Sequence, residues 1–133
     1  MNFVILDLEW NPSYSKKLKG FINEIIEFGA IKVNSDLEII DSFSALVRPQ
    51  IGKKLNEKIT TLTHITDEDV EDGCTYTHAL SGFRKFLGDS VLMTWGITDI
   101  YVLMENTKYF LQDDRLYFID NYTNLQDYCE DML

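Results

Sequence analysis

Apolar and polar residues follow one another along the chain in short blocks that predict strands first and helices later. The block FVILDLEW, from Phe3 to Trp10, is a run of apolar β-formers that meets the turn signal Asn11-Pro12, a pattern typical of a central strand. A polar loop, NPSYSKKLKG, follows it. The runs FINEIIEFGAIKVN and LEIIDSFSALVRP are then separated by the turn formers of NSD, which predict a hairpin. We therefore expect three strands at the start of the chain.

Helices and strands alternate in the second half. Thr66 is a predicted N-cap for a short acidic helix, and TYTHALSGFRKFLG predicts a helix that ends at Gly88. A buried strand in SVLMTWG, a helix in TDIYVLMENTKYF, a fifth strand in RLYFIDNY and the start of a helix in TNLQDYCEDML complete the pattern. This order predicts an α/β domain with a mixed five-stranded sheet, three antiparallel strands first, flanked by helices. With no repeat or linker, residues 1–133 are expected to form a single domain.

Charge and cysteine content change the picture of function. The chain has 12 basic and 22 acidic residues and a net charge of −10, which repels polyanions and taken alone argues against nucleic acid. That argument weakens where carboxylates hold divalent cations, because the bound ion reverses the local sign. Cys74 and Cys129 fit no metal-binding spacing and are expected to be reduced thiols. Without a leader or an apolar run of about 18 residues, we expect a soluble, cytoplasmic protein.

Three acidic residues are the candidate chemistry. Asp7 and Glu9 are two residues apart in the first strand, so their side chains are expected on the same face. Such a pair needs a raised pKa, a basic partner or a cation, and the first basic residue in the sequence is Lys16. Asp99 opens a helix after a strand, where a side chain can reach the crevice above the sheet, although an acid at a helix N-terminus also has an ordinary stabilising role.

Oxygen-only ligands select hard cations, so these three carboxylates predict a site for Mg²⁺ or Mn²⁺. Two such ions about 3.5–4 Å apart can clamp the attacking and leaving oxygens of a phosphodiester. The candidate chemistry is therefore phosphoryl transfer.

Four segments, DLEW, EIIEFGAIKV, TLTHIT and WGITDIYVL, resemble in order and spacing the landmarks of the DEDD-type (DEDDh-like) 3′–5′ exonucleases. The resemblance extends from about Asn2 to Tyr122 and implies a ribonuclease H-like fold. It also implies two Mg²⁺ or Mn²⁺ ions, with Asp7 bridging both, Glu9 completing the shell of one and Asp99 binding the other. The implied activity is hydrolysis of DNA or RNA from a free 3′ end to nucleoside 5′-monophosphates.

The same resemblance places TLTHIT beside the terminal nucleotide, which makes Leu62, Thr63 and Ile65 candidate contacts to a base or sugar. Trp10 suits stacking on a base and core packing equally well. The lysines of the loop after the first strand, Lys16, Lys17 and Lys19, suit either phosphate contacts or simple solvation.

One family landmark does not occur before Leu133. It is a histidine or tyrosine general base followed by a fourth acidic ligand, and neither His64 nor His78 matches it. The C-terminal part of the fold is therefore expected to be missing, with activity impaired by about 10²–10⁴ through loss of the base. A homodimer is one way to cover the surface so exposed.

The alternative is a non-catalytic nucleotide-binding or protein-interaction domain that keeps the fold. If the chain is an exonuclease, its expected partner is the 3′ end of a nucleic acid, more readily a single-stranded one. No association with a membrane is expected. The charge of −10 predicts weak, salt-sensitive binding to long polyanions, with only a short 3′ end engaged.

Overall fold

The strands form one mixed sheet in this computed structural model, which describes residues 1–113, 116, 119 and 122–124. Their bounds are β1 Phe3–Ser15, β2 Gly20–Val33, β3 Ile39–Leu46, β4 Val91–Thr94 and β5 Tyr122–Asn124. The order across the sheet is β3-β2-β1-β4-β5, with β1–β2 and β2–β3 antiparallel and β1–β4 and β4–β5 parallel. The expected α/β sheet with three antiparallel strands first is confirmed.

Four helices are described: α1 Glu57–Thr63, α2 Asp67–Glu71, α3 Tyr76–Leu87 and α4 Thr98–Leu111. The predicted N-cap of α2 is confirmed, since Thr66 and Asp69 form a reciprocal capping box, and α3 ends at Gly88 as expected. Helix α1 was not predicted, because it buries no residue and so has no apolar stripe. Within the described residues, no helix has both the length and the apolar character needed to cross a membrane.

Two predicted boundaries were wrong. Strand β1 continues through Asn11 and Pro12 to Ser15, which reduces the loop before β2 to residues 16–19. Strand β4 pairs with β1 only from Phe3 to Ile5, so the proline lies where β1 has a single strand neighbour and is tolerated there.

The other boundary is at the C-terminal end of the described chain. The described strand β5 is Tyr122–Asn124, so Thr123 and Asn124, which the sequence predicts to begin a helix, lie in a strand, whereas Arg115 and four other residues of the predicted strand lie outside the described residues. The remainder of that predicted helix, with Cys129, lies outside the described residues.

The main core lies between one face of the sheet and helices α3 and α4. Val4, Leu6 and Leu8 of β1 pack there against buried side chains of both helices, such as Phe83 and Leu103. A second, smaller core on the α1–α2 side contains Ile26, Leu55, Ile65 and Val70. The pairing of β1 with β2 shifts by one residue between Glu9 and Trp10, and this bulge directs Ile25 into the main core and Ile26 into the second.

Asn106 attaches α4 to β2. Its side chain is completely buried, accepts the amide N–H of Ile25 (3.0 Å) and donates to the carbonyl oxygens of Asn23 and Val102 (both 2.8 Å). Strand β3 pairs with β2 only from Glu27 onward, so this part of β2 has no strand on that side. The helix amide therefore supplies the partners that a neighbouring strand would otherwise provide.

We predict that Asn106→Leu lowers the free energy of unfolding by about 2–4 kcal/mol, because it removes three hydrogen bonds and leaves the Ile25 amide buried without a partner. Urea denaturation followed by circular dichroism measures this. Thr77→Leu, at an exposed position of α3, is the control for adding a leucine and is expected to change stability by less than about 0.5 kcal/mol. Equal effects of the two substitutions would contradict the structural role of Asn106.

Candidate active site

The acidic pair of β1 lies on the face of the sheet opposite the main core. Asp7 is exposed and Glu9 is half-buried, while Leu6 and Leu8 point into the core. The residue opposite Asp7 on β2 is Gly29, which has no side chain to cover it. The predicted common orientation of the two carboxylates follows from the strand alternation, and the glycine leaves Asp7 open to solvent.

Asp99 is brought to the same point by α4. It lies in the first turn of that helix, and its Oδ2 atom accepts the backbone N–H of Leu8 at 3.0 Å. Pairing of β4 with β1 stops at Ile5, so no β4 residue is in register with Leu8 and the carboxylate provides the acceptor. Because Leu8 lies between Asp7 and Glu9, this hydrogen bond places the third predicted carboxylate beside the first two.

A fourth carboxylate, Glu27, joins these three and was not predicted as a site residue. It lies directly opposite Glu9 in the β1–β2 ladder. The hairpin tip pairs Ser15 with Gly20, and that register alone would place Ile26 opposite Glu9. Only the bulge moves Glu27 into that position, so the signal was not available from local sequence.

The four carboxylates repel one another. Burial raises the pKa of Glu9, and the charges of Asp7, Glu27 and Asp99 raise it further. The pKa of Glu27 is raised by burial and by the charge of Asp7. That of Asp99 is raised chiefly by burial and also by Asp7, against the opposing effect of the Leu8 hydrogen bond. No Lys or Arg in the described part of the chain forms an ion pair with this acidic cluster.

The donor chemistry of the cluster fits a hard divalent cation. Its ligands are all carboxylate oxygens, which suit Mg²⁺ or Mn²⁺, and a cation would relieve the repulsion among Asp7, Glu9, Glu27 and Asp99. Among residues 1–113, 116, 119 and 122–124, no group of three or more His, Cys, Asp and Glu side chains is arranged to hold a metal ion. Without a cation, mutual repulsion is expected to keep the four carboxylates from converging on one point.

The predicted substrate residues lie on or just after α1. Asn11 Oδ1 of β1 accepts the amide N–H of Asn56 at 2.7 Å, which attaches the start of α1 two residues beyond Glu9. Leu62 has 77% of its surface exposed, and Thr63 is half-buried. Ile65 differs from the expectation, because its side chain is only 7% exposed.

Ile65 and Trp10 pack in the two cores, and the two histidines lie on the surface. Ile65 packs in the second core, so little of it remains for a substrate contact. Trp10 packs against the main core, and as the neighbour of Glu9 on the strand it points to the opposite face. Its position therefore agrees with the packing interpretation. His64 and His78 are both exposed, the first at the C-cap of α1 and the second on α3.

Exposed apolar side chains next to Asp99 were also not predicted as site residues. Trp95, Ile97 and Tyr101, at the β4–α4 junction, are 61%, 48% and 59% exposed. A large exposed ring is a common feature of surfaces that bind another molecule. Their sequence signal is the WGITDIY segment, in which the sequence-based prediction uses only the carboxylate of Asp99.

Comparison with known proteins adds a family match over almost the whole chain. Residues 4–132 match the family model RNase_T, described as "Exonuclease". The chain is 29% identical over 111 residues to "Probable 3'-5' exonuclease KapD" of Bacillus subtilis (strain 168), a match covering 81% of this chain and 54% of that protein. It is 40% identical over 91 residues to "DNA polymerase III PolC-type" of Clostridium perfringens (strain 13 / Type A), covering 68% of this chain and 6% of the polymerase.

Solved structures show the same fold. The structure titled "3'-end specific recognition of histone mRNA stem-loop by 3'-exonuclease" is 29% identical, with a TM-score of 0.69 over 81% of this chain and 52% of that one. The structure of the nuclease domain of 3'hExo, described as a DEDDh family member bound to rAMP, is 23% identical, with a TM-score of 0.81 over 98% of this chain and 69% of that one. This chain thus spans about half the length of KapD and a small part of the polymerase.

We predict that Asp7→Asn raises the melting temperature of the metal-free protein at neutral pH. With raised pKa values, Glu9, Glu27 and Asp99 keep protons in the folded state that the unfolded chain has already released. Stability therefore falls as the pH rises above the ordinary carboxyl range of about 4, and continues to fall until the pH has passed the raised pKa values. Removing the charge of Asp7 reduces this loss, and the gain should vanish in acid.

Thermal melts from pH 4 to pH 8 with EDTA test this, with Asp89→Asn, at an exposed position, as the matched control. In a second series, Mn²⁺ should raise the melting temperature of the wild type but not that of Asp7→Asn, because a ligand that binds only the folded state stabilises it. A uniform loss of stability at every pH would contradict repulsion within the acidic cluster.

Proposed function

This chain belongs to the RNase_T exonuclease family, and on that premise we propose that it hydrolyses terminal phosphodiesters at the 3′ end of a nucleic acid, releasing nucleoside 5′-monophosphates. The observation that carries the proposal is the meeting of Asp7, Glu9 and Asp99 at one exposed point of the sheet, joined through the Leu8 amide. Three carboxylates from two distant segments are brought together there without any basic partner among the described residues. That arrangement lowers the stability of the folded chain but is suited to binding a cation.

Asp7, Glu9 and Asp99 would hold the cations, with Asp7 the most accessible of the three. When bound, two Mg²⁺ or Mn²⁺ ions would stabilise charge on the attacking and leaving oxygens of the phosphodiester. Glu27, opposite Glu9, adds negative charge to the same site and limits how far Glu9 can be charged in the absence of cations. The backbone hydrogen bond to Asp99 orients that carboxylate before a cation arrives.

The terminal nucleoside would lie between the acidic cluster and α1. Leu62 is the most exposed apolar residue of that helix, and Thr63 is next to it. Their position beyond Glu9 follows from the Asn11–Asn56 hydrogen bond. A single-stranded end fits this proposal, because an unpaired terminal base is free to contact an apolar side chain.

Activity of the chain alone is proposed to be reduced. Neither His64, at the C-cap of α1, nor His78, on α3, matches the general base that the family resemblance implies, and both are exposed. A missing base typically lowers the rate by about 10²–10⁴. A homodimer remains part of the proposal, since apolar residues of the open sheet face such as Phe3 and Ile5 are only partly buried within the described residues.

We predict Mn²⁺-dependent shortening of a 5′-labelled single-stranded oligonucleotide, one nucleotide at a time from its 3′ end. Asp7→Asn should abolish the shortening, since it removes the carboxylate expected to contact both ions, and EDTA should do the same. Asp89→Asn, which makes the same chemical change at an exposed position away from the site, should leave the rate unchanged. Denaturing gel electrophoresis resolves the product ladder.

The outcomes separate the proposed activity from its rival. Products lost equally in Asp7→Asn and Asp89→Asn, or formed in the presence of EDTA, would argue against the assignment. Absence of hydrolysis together with Asp7-dependent Mn²⁺ binding by calorimetry would instead support the non-catalytic nucleotide-binding alternative.

We also predict that Leu62→Ala lowers kcat/KM on the same substrate about fivefold to thirtyfold, because a buried aliphatic contact to the terminal nucleoside is worth roughly 1–2 kcal/mol. The melting temperature should not change, since this side chain is mostly exposed. Leu37→Ala, at an equally exposed leucine in the turn between β2 and β3, is the control. An unchanged kcat/KM for Leu62→Ala would remove α1 from the substrate site.

A further inference from the structure

The tip of the β1–β2 hairpin concentrates positive charge on a strongly acidic protein. A cavity of about 550 Å³ opens there between the hairpin, the loop at residues 50–54 and Tyr109 of α4. Four of the chain's 12 basic residues line it, and no acidic residue that the structure describes does so. The four are Lys16, Lys17, Lys53 and Lys54. On a chain with a net charge of −10, such a grouping is not explained by solubility.

The two pairs of lysines are brought together by a buried carboxylate. Glu24 accepts the backbone N–H groups of Gln50 (2.7 Å), Ile51 (2.9 Å) and Gly52 (2.9 Å), together with the hydroxyl of Ser13 (2.8 Å). These bonds hold the loop against β1. Both carboxylate oxygens of Glu24 are occupied by these hydrogen bonds inside the protein. A Cβ at Gly52 would lie 2.6 Å from the Ser13 hydroxyl oxygen, so the loop can approach this closely only with glycine there.

The lysine charges are not neutralised within the described part of the chain, where none of the four forms an ion pair with a carboxylate. Lys17 Nζ lies 5.1 Å from the centre of the Tyr109 ring, a contact that positions the ammonium group without cancelling its charge. The cavity therefore presents charge to an external anion.

Tyr14 lines the same cavity, and a second exposed ring, Phe21, lies against it. Tyr14 and Phe21 are paired across the hairpin, are 52% and 75% exposed, and make an edge-to-face contact with ring centres 5.6 Å apart. Exposed rings next to lysines are the combination found in proteins that bind single-stranded nucleic acid, where bases stack on rings and phosphates meet ammonium groups. We name these six residues the hairpin-tip surface: Tyr14, Lys16, Lys17, Phe21, Lys53 and Lys54.

We propose that the hairpin-tip surface binds the single-stranded part of a nucleic acid upstream of the 3′ end, an inference that rests on the proposed function. Ser13, which lines the cavity, is on the same face of β1 as Asp7 and six residues from it, which corresponds to about 20 Å at roughly 3.3 Å per residue. That length matches about six stacked nucleotides at about 3.4 Å each. A dinucleotide at the acidic cluster therefore cannot reach the hairpin tip, whereas a longer strand can.

The first test measures binding without hydrolysis. Fluorescence anisotropy with EDTA compares a dye-labelled single-stranded oligonucleotide of about twenty nucleotides on Lys53→Gln/Lys54→Gln and on the charge-matched control Lys32→Gln/Lys85→Gln. We expect affinity to fall on the order of tenfold for the first variant and to stay within about twofold for the control. The slope of log affinity against log salt should decrease by about 1.4, or 0.7 for each lost phosphate contact. Equal affinities and slopes for both variants would overturn the proposal.

The aromatic pair separates nucleic acid from other polyanions. Tyr14→Ala should weaken binding about tenfold, while Tyr14→Phe, which keeps the ring, should change it little. Heparin is the comparison ligand and should not respond to Tyr14→Ala. If Tyr14→Ala has no effect on either ligand, the surface is a general polyanion site and its assignment to nucleic acid is wrong.

Hydrolysis distinguishes failure of this inference from failure of the proposed function. With Mn²⁺, Lys53→Gln/Lys54→Gln should raise KM for the long strand and leave hydrolysis of a dinucleotide unchanged. An unchanged KM for the long strand overturns the inference but leaves the activity in place. If the wild type hydrolyses neither substrate, the proposed function fails, and the binding comparison still decides whether the hairpin-tip surface holds a nucleic acid.

Discussion

The pairing register of β1 with β2 is the constraint on which the site depends. It places Gly29 opposite Asp7 and, through one bulge, Glu27 opposite Glu9. The same bulge directs Ile26 into the second core, which supports α1 and α2. A slip of one residue would exchange the two faces of β2 relative to β1 and remove the acidic cluster. The hydrophobic core and the candidate chemistry are thus fixed by the same set of backbone hydrogen bonds.

The acidic cluster is arranged at a cost to stability. Burial and mutual repulsion both disfavour the charged forms of Glu9 and Asp99, and for Asp99 the hydrogen bonds from the backbone of Leu8 and of Asp99 itself oppose this only in part. A neutral side chain at Glu9 would fold more easily, whereas one at Asp99 would also have to accept the Leu8 amide N–H. Carboxylates that the fold itself does not need are characteristic of a site kept for a ligand, and perturbed acids at an exposed point of a sheet are a recognised mark of function. In this chain the expected ligand is a cation.

Local sequence was sufficient to predict some residues of the acidic cluster but not all of them. Asp7 and Glu9 were found because strand alternation requires no knowledge of neighbours, and Asp99 because a strand-to-helix junction is readable locally. Glu27 was missed because its position depends on a bulge in a pairing that local pattern does not reveal. Helix α1 was missed for a similar reason, since it is attached by the Asn11–Asn56 hydrogen bond rather than by an apolar stripe.

A net charge of −10 and the proposed nucleic-acid substrate are compatible because the charges are separated along β1. The strand has its carboxylates at Asp7 and Glu9, and its far end forms the lysine-rich tip six residues beyond Asp7. At the proposed tip contact, phosphates meet unneutralised ammonium groups, whereas at the acidic cluster they are repelled until cations are present. A nucleic-acid strand held at the hairpin tip would approach the carboxylates only where cations have already reversed the local field. The separation of charge would then position the substrate at the same time as it restricts access to the site.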